Sequence, residues 1–175
     1  MFDRLLDFIL ETWERVIPIV VVDEYQKAVI LRMGKFKEVL EPGWHWKIPF
    51  ADNPILQHTI VTTMGTSAQS LVTQDRREVT VESIVKYNIE DIKKYCLEIF
   101  DATDAIQDIT QAVIKQNIMQ KTLEDCYNPE LDNIITKKVR SEVRKYGINI
   151  HQVTLTTLGQ IKSFRLIGEN PNLQA

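Results

Sequence analysis

A chain of 175 residues with 44% apolar and 26% charged residues has an ordinary globular composition and can bury one core or two small ones. Its 21 basic and 24 acidic residues give a formal net charge of −3, which argues against nucleic acid as a partner. Cys96 and Cys126 lie far apart and outside CxxC spacing, which argues against a disulfide framework or a zinc site. We expect two reduced thiols, each buried or half-buried.

The first segment, Phe2–Ile17, has the pattern of an amphipathic helix. At 100° per residue most of its apolar residues fall on one broad face, with the charged residues opposite. Such a helix could pack on a protein core, join a partner helix or lie in a membrane interface. Its Phe, Leu and Trp content suits the interface, but its polar face is acidic, whereas interfacial helices usually carry Lys and Arg. The helix pattern alone leaves these alternatives open.

A signal peptide or a spanning helix is not expected at this end. Charged residues are scattered through the segment, and the longest apolar run, Val16–Val22, is interrupted by Pro18. A spanning helix needs roughly 20 apolar residues in a row, and a signal peptide needs a continuous apolar stretch. We therefore expect no segment of this chain to cross a membrane on its own.

Strand patterns follow Pro18, separated by turn signals at Gly34 and at Pro42-Gly43. In the last predicted strand before the helices, Val79, Val81, Val85 and Tyr87 share one face, and Ile84 suggests that the other face is partly covered. The predicted strands are Tyr25–Met33, Trp44–Ile48, Gln57–Thr63, Gln69–Thr73 and Glu78–Tyr87.

The run from Trp44 to Ile48 alternates strictly. Its period of two places Trp44, Trp46 and Ile48 on one face and His45 and Lys47 on the other. We expect Ile48 to be buried in a sheet, and His45 to be solvated or hydrogen-bonded rather than catalytic. Two prolines, Pro49 and Pro54, predict a loop around Phe50.

Helical patterns begin after Tyr87. We predict helices at Asp91–Ile99 and at Ala102 to about Lys121, the second capped by Thr103. Asn128-Pro129-Glu130 predicts the start of a third helix, and Gly147 its end. A strand at Ile148–Leu155 follows, so the fold class is α+β.

No motif for catalysis, cofactor binding or metal binding is found. His45, His58 and His151 have no metal-ligand spacing. Asp101, Asp104 and Asp108 lie at a predicted helix start, where carboxylates complement the helix dipole. HExxH, GxSxG and Walker-type loops are absent from the sequence. We expect a protein without enzymatic activity, cofactor or metal.

Three ordered blocks of the sequence, VVVDEYQKAVILRMGKF, EPGWHWKIPF and VTQDRREVTVESIVKYNIEDIKKY, resemble the SPFH or Band 7 domain of stomatin, prohibitin and flotillin. The run Pro42–Phe50 is most similar to the HflK/HflC branch. The resemblance extends from Val20 to about Gln160. It implies two small α+β subdomains, at 20–87 and 88–160, between an amphipathic helix at 1–19 and a short tail at 161–175.

Members of the family that this chain resembles are non-enzymatic, membrane-bound scaffolds that assemble side by side and organise or regulate membrane proteins. The resemblance therefore implies lateral homo-oligomers, as a ring or an arc, and an AAA membrane protease of the FtsH type as a partner. We expect Phe2–Ile17 to take the place of the family's usual transmembrane segment, and we expect no long C-terminal coiled coil, because the sequence stops soon after Phe164. We expect peripheral or monotopic attachment to a bilayer surface, with the N-terminus on the cytoplasmic side.

The resemblance also places the turn around Trp44 near the bilayer, where tryptophan favours the interfacial zone. We hypothesise that Trp44 or Trp46, or both, enter the lipid headgroups. The predicted membrane-contact residues are Phe2, Leu5, Leu6, Ile9, Leu10, Trp13, Val16, Ile17, Trp44, Trp46 and Phe50.

Two other functions are considered. A small SPFH chain without a coiled coil could insert among longer SPFH proteins and change or block their assembly. A hydrolase on an α+β fold is the third hypothesis, and a cleft that gathers histidine and carboxylate groups would support it.

Overall fold

The computed structural model describes residues 18–160, which form an α+β fold as predicted. The predicted N-terminal helix and the tail at 161–175 lie outside these residues. Within them the strands are β1 Ile19–Val22, β2 Gln26–Arg32, β3 Lys35–Leu40, β4 Gly43–Trp46, β5 Asp52–His58, β6 Thr62–Gly65, β7 Gln69–Val72, β8 Glu78–Ile89 and β9 Ile148–Gln160. The helices are α1 Ile92–Leu97, α2 Ala102–Met119, α3 Leu123–Cys126 and α4 Glu130–Val143, which continues into a 3-10 turn at Arg144–Tyr146.

The described strands form three antiparallel sheets. The first sheet is a two-stranded ribbon of β1 and β4, and the second has the order β3-β2-β5. In the third sheet β8 is central: β9 pairs with one edge, while β6 and β7 share the other edge end to end. Two bulges in β9, at His151 and Thr156, interrupt the long ladder between β8 and β9.

A pair of buried hydroxyls fills the gap between β6 and β7. The backbone N–H of Thr66 donates to the carbonyl oxygen of Ser83 (2.8 Å), and the N–H of Ser83 donates to the hydroxyl of Thr66 (3.1 Å). The two hydroxyl oxygens lie 3.0 Å apart. These bonds satisfy buried polar groups of β8 on the edge where neither β6 nor β7 runs beside it.

The main core lies between the third sheet and helices α2 and α4. The predicted inner face of β8 is confirmed, because Val79, Val81 and Val85 are fully buried and Tyr87 is nearly so. Ile84, on the opposite face, is 37% exposed. The apolar stripes of the helices pack on the inner face through Ile106, Ile114, Ile118, Leu131, Ile135 and Val139.

The second sheet is covered on both faces. The ribbon of β1 and β4 packs on one face, where Ala28 and Ile30 contact Val20 and Val22. On the other face, Val29 contacts the end of β8 and helix α1. The centre of β2 is therefore fully buried, without the alternation of a half-buried strand.

Helix α4 lies along the outer edge of β9 and satisfies its backbone groups. Three polar residues spaced four apart make these bonds, which places them on one side of the helix. Asp132 accepts from the N–H of Leu155 (3.4 Å), Thr136 accepts from the N–H of Val153 (2.9 Å), and Arg140 donates to the carbonyl oxygens of Ile150 (2.6 Å) and His151 (3.0 Å). The helix thus covers an edge that could otherwise pair with another strand.

The local signals predict the helix ends well, with one correction. Asn128 accepts from the N–H of Glu130 (2.9 Å), and Gly147 adopts a left-handed φ of 76°, as expected for the two ends of the third predicted helix. The prediction of Thr103 as a cap is wrong. The carboxylate of Asp101 caps α2, accepting from the N–H groups of Thr103 and Asp104.

Two strand predictions are corrected. The predicted strand Gln57–Thr63 is wrong, because β5 ends at His58 and β6 begins at Thr62 in a different sheet. The β-branched residues between them continue the strand-like pattern while the chain changes sheets. Pro54 lies inside β5 rather than in a loop; β5 is an edge strand, where a proline removes no necessary ladder bond.

Strand β8 also continues past Tyr87 to Ile89, opposite Ile148. Its ladder with β9 therefore crosses the position at which we placed the boundary between the two subdomains. The division into subdomains at 20–87 and 88–160 stays a prediction.

We predict that Thr136→Val destabilises the protein by about 1–3 kcal/mol, because it leaves the buried N–H of Val153 without an acceptor. The matched control is Thr110→Val, since Thr110 is fully buried in α2 and its hydroxyl has no partner among the described residues. This second change should be neutral or stabilising by up to about 1 kcal/mol. Urea unfolding of both variants measures the difference; equal effects would contradict the proposed role of α4 at the edge.

Candidate membrane-contact surface

The ribbon of β1 and β4 carries apolar residues on both of its faces. Its inner face is buried on the second sheet, as described above. Its outer face is exposed: Ile19 pairs with Trp46 and Val21 with Trp44, and these side chains are 39–65% exposed. The two indole rings meet edge to face with centroids 6.0 Å apart. We call these four residues the apolar ribbon face.

Beyond the ribbon, two loops meet and expose three more apolar side chains. The N–H of Met33 donates to the carbonyl oxygen of Ala51 (2.8 Å), which joins the β2–β3 turn to the loop before β5. Met33 is 85% exposed, Phe50 81% and Ile48 50%. We call Met33, Ile48 and Phe50 the apolar tip. The prediction that Ile48 is buried is wrong, because β4 ends at Trp46 and no strand among residues 18–160 covers the residues after it.

Met33 and Phe50 have positive φ angles, 50° and 65°. A side chain in the left-handed region costs roughly 1 kcal/mol or more, and bulky residues are uncommon there. The fold therefore holds two large apolar side chains outward in backbone conformations that glycine or asparagine would adopt more easily. This is an arrangement of the kind found where local strain serves a function.

A half-buried ion pair fixes the loop that carries Ile48 and Phe50. Asp52 is only 8% exposed, and its carboxylate accepts two bonds from the guanidinium of Arg32, at 2.7 and 2.9 Å. The same carboxylate accepts from the backbone N–H of Ile48 (2.9 Å). The Arg32 bonds first, and the Ile48 N–H second, hold the pKa of Asp52 well below its usual range. We call this arrangement the Asp52 clasp.

The structure brings together part of the predicted membrane-contact set. Trp44, Trp46 and Phe50 are all exposed on the apolar ribbon face and the apolar tip. The other predicted contacts, Phe2, Leu5, Leu6, Ile9, Leu10, Trp13, Val16 and Ile17, lie outside the described residues. Sequence reasoning missed Ile19, Val21 and Met33. A signal existed for Met33 alone, as an apolar residue directly before a turn glycine; the exposure of Ile19 and Val21 depends on which strand pairs with β1.

The residues considered for chemistry have structural partners. His45 Nε2 lies 2.7 Å from the carbonyl oxygen of Glu41, His58 stacks on Tyr25, and His151 Nε2 lies 2.9 Å from the side-chain oxygen of Asn88. Within residues 18–160, no three His, Cys, Asp or Glu side chains gather as a metal site would require.

The two thiols agree with the prediction of buried or half-buried cysteines. Cys126 is buried and Cys96 is half-buried. Burial raises the pKa of both thiols, which makes them less reactive.

An open cleft of about 590 Å³ lies between the second sheet, helix α1 and the 3-10 turn. Its charged lining includes Lys27, Glu41, Glu90 and Arg144, and Lys27 is paired with Glu41 at 2.8 Å. No histidine, cysteine or hydroxyl side chain is among its lining residues. The cleft therefore does not gather histidine with carboxylate groups, the arrangement that would have supported the hydrolase hypothesis.

The described fold is an α+β domain whose largest exposed side chains include a row of apolar residues at one end. Over residues 20–164 the sequence matches the SPFH domain / Band 7 family, and the chain belongs to this family. The helices within residues 18–160 are all too short or too polar to cross a bilayer.

Similar relatives come from archaea and bacteria. An uncharacterized protein of Methanocaldococcus jannaschii is 27% identical over 77% of this chain and 69% of its own length. The modulator of FtsH protease HflC of Escherichia coli K12 is 29% identical over 71% of this chain and 37% of its own length. Protein HflK of Haemophilus influenzae is 26% identical over 59% of this chain and 25% of its own length. The predicted resemblance to the family, with HflK and HflC among the similar members, is confirmed.

We predict that Asp52→Asn destabilises the protein at neutral pH and that the gap to the wild type narrows in acid. The pKa of Asp52 is lowered in the folded state, so its stabilising effect is complete above the unfolded-chain value of about 3.9 and is lost as the pH falls below it. Urea unfolding at pH 6, 4 and 3 measures the gap. The control is Glu24→Gln, which removes a carboxylate at the exposed turn after β1 and should change stability by less than about 0.5 kcal/mol at pH 6. A gap for Asp52→Asn that stays constant with pH would contradict the clasp.

Proposed function

We propose that this chain is a non-enzymatic, membrane-associated scaffold that contacts a bilayer through the apolar ribbon face and the apolar tip. The observation that carries this proposal is the exposure of Trp44, Trp46 and Phe50 beside a loop that the Asp52 clasp holds in place. Large exposed apolar patches mark binding surfaces for protein or membrane. Tryptophan and phenylalanine projecting at one end of a domain favour the membrane interface.

The Phe2–Ile17 segment directly precedes β1 in the chain, and we propose that it adds to the same membrane contact. The backbone N–H of Lys47 donates to the carbonyl oxygen of Pro18 (2.7 Å), which ties the start of the described chain to the loop that follows β4. The residue that follows the predicted helix therefore lies at the same end of the domain as the apolar tip. This arrangement supports a single contact region for both elements.

Membership of the SPFH family and the relative named as a modulator of FtsH protease support a role in regulating membrane proteins. We propose a membrane protease of the FtsH type as a partner. We also propose lateral self-association, as a ring or an arc. These are properties of proteins that this chain matches over only 25–37% of their length, so each needs its own test.

The test of membrane contact compares two exposed phenylalanines. Phe50→Ser should weaken partition of the full chain onto phosphatidylcholine vesicles about 5- to 30-fold, because burying such a side chain contributes roughly 1–2 kcal/mol at an interface. The control is Phe100→Ser, since Phe100 is fully exposed in the loop between α1 and α2 and is not part of the tip. Vesicle co-sedimentation measures both. Equal losses, or none for Phe50→Ser, would contradict the proposal.

Tryptophan fluorescence tests the two indoles separately. In a Trp13→Phe background, Trp44→Phe and Trp46→Phe each leave one emitter, since the chain has three tryptophans. We expect a blue shift on adding vesicles for at least one of the two variants, because an indole in the headgroup region leaves water. If neither emission shifts, the ribbon does not contact the lipid.

Self-association is tested by negative-stain imaging of the full chain extracted from membranes in mild detergent. We expect rings or arcs of evenly spaced subunits. Small monodisperse particles would contradict self-assembly, and co-purification with a longer SPFH protein would favour a role within that protein's assemblies instead.

A further inference from the structure

Apart from Lys37 and Glu38, which pair with each other inside β3 at 2.6 Å, the charged residues of the first two sheets lie near one of their two ends. Strands β2, β3, β4 and β5 all begin or finish at the apolar tip, so the tip end gathers the turn after β2 and the loop after β4. Three cations lie at this end: Arg32, Lys35 and Lys47. In these turns and strand ends the acidic residue is Asp52, which is buried and already bonded to Arg32.

The opposite end of the same sheets is acidic. Asp23 and Glu24 follow β1, and Glu41 precedes β4. One cation, Lys27, is paired with Glu41 at 2.8 Å. The seven residues of β2 span about 20 Å between the ends, which is more than twice the Debye length of ~8 Å at physiological salt. The charges at one end are therefore largely screened from a membrane or a protein that approaches the other end.

The cations are placed beside the apolar side chains of the tip. Lys35 is exposed and follows Met33 by two residues in the same turn. Lys47 lies in the chain between Trp46 and Ile48, where its backbone is fixed to Pro18. Lysine has a long apolar stem, so its ammonium group can reach the level of lipid phosphates while neighbouring apolar groups enter below them.

We propose that the apolar tip recognises an anionic lipid surface, with Lys35 at the level of the headgroup phosphates. This proposal deepens the membrane contact argued above and rests on it. The whole chain carries a net charge of −3, so nonspecific attraction would not bring it to an anionic bilayer. The Phe2–Ile17 segment carries four acidic and two basic residues and would oppose binding to anionic lipid, so any preference for such lipid must come from the local field of the tip. The apolar tip side chains between the cations fit a bilayer, which has phosphates above hydrocarbon, better than an acidic protein surface.

The experiment compares binding of the full chain to phosphatidylcholine vesicles and to vesicles containing 30% phosphatidylglycerol. Each basic residue near an anionic surface contributes about fivefold in binding, so Lys35→Glu, which reverses one charge, should weaken binding to the anionic vesicles about 25-fold. Binding to neutral vesicles should change less than threefold. The wild type should prefer anionic over neutral vesicles by about fivefold or more, and this preference should fall as salt rises.

The matched control is Lys115→Glu, which makes the same change in net charge at an exposed position of α2. It should reduce anionic binding less than threefold. Equal loss in the two variants, or equal wild-type binding to both vesicles, would overturn the proposal. Binding to neutral vesicles that depends on Phe50 would then still support the membrane contact, whereas no binding to either vesicle overturns both. Competition by polyglutamate with the same dependence on Lys35 would assign the tip to an acidic protein and also overturn the lipid proposal.

Discussion

The pairing of β8 with β9 is the constraint on which the described fold depends. It joins residues 79–89 to residues 148–160, so the whole helical segment lies between the two strands. Closing such a loop costs conformational entropy. The cost is offset because that segment folds into helices whose apolar stripes cover the same two strands. The ends of the inserted segment are fixed at Gly147, whose carbonyl oxygen accepts from the N–H groups of Glu90 and Asp91. A Cβ at Gly147 would overlap the Asp91 carbonyl, so a side chain there would push these ends apart.

An unpaired strand edge of this fold is covered, whereas an apolar face is left exposed. The outer edge of β9 is covered by Asp132, Thr136 and Arg140 of α4, although a bulged strand already resists pairing. The apolar ribbon face, in contrast, is left open while the inner face of the same ribbon is fully packed. In this fold a helix covers an unpaired strand edge, so the same kind of cover could also have been used for the exposed apolar residues. We therefore propose that the open face is a binding surface and not a place of incomplete packing.

The sequence predicts those features that depend on neighbours in the chain. Three local predictions are confirmed: the alternation of Val79, Val81 and Val85, the start signal at Asn128 just before α4, and the turn at Gly147. Each is specified within a few residues. Apart from the cap of α2, which is Asp101 and not Thr103, the wrong predictions concern contacts at longer range. Trp44 and Trp46 share a face as predicted, but Ile48 is exposed because the sheet ends before it.

The same limit explains the candidate surface. Residues 57–63 look like one strand because β-branched residues do not reveal that the chain passes from one sheet to another. The exposed side of Val21 can be identified only once β1 is known to pair with β4 and to pack on β2. The Asp52 clasp joins residues twenty positions apart, and no local pattern indicates it.

The Asp52 clasp has a consequence for how copies of this domain would meet. Since the tip loop is bonded to β2 through Arg32, a copy held at a bilayer by its tip cannot swivel freely about that loop. Every such copy would stand at a similar angle, with its acidic end away from the lipid. The attached copies would then diffuse only in the plane of the membrane, and all of them in the same orientation. Much of the rotational and translational entropy of association would then be lost when each copy attaches to the membrane. Weak lateral contacts between copies could therefore suffice for their assembly.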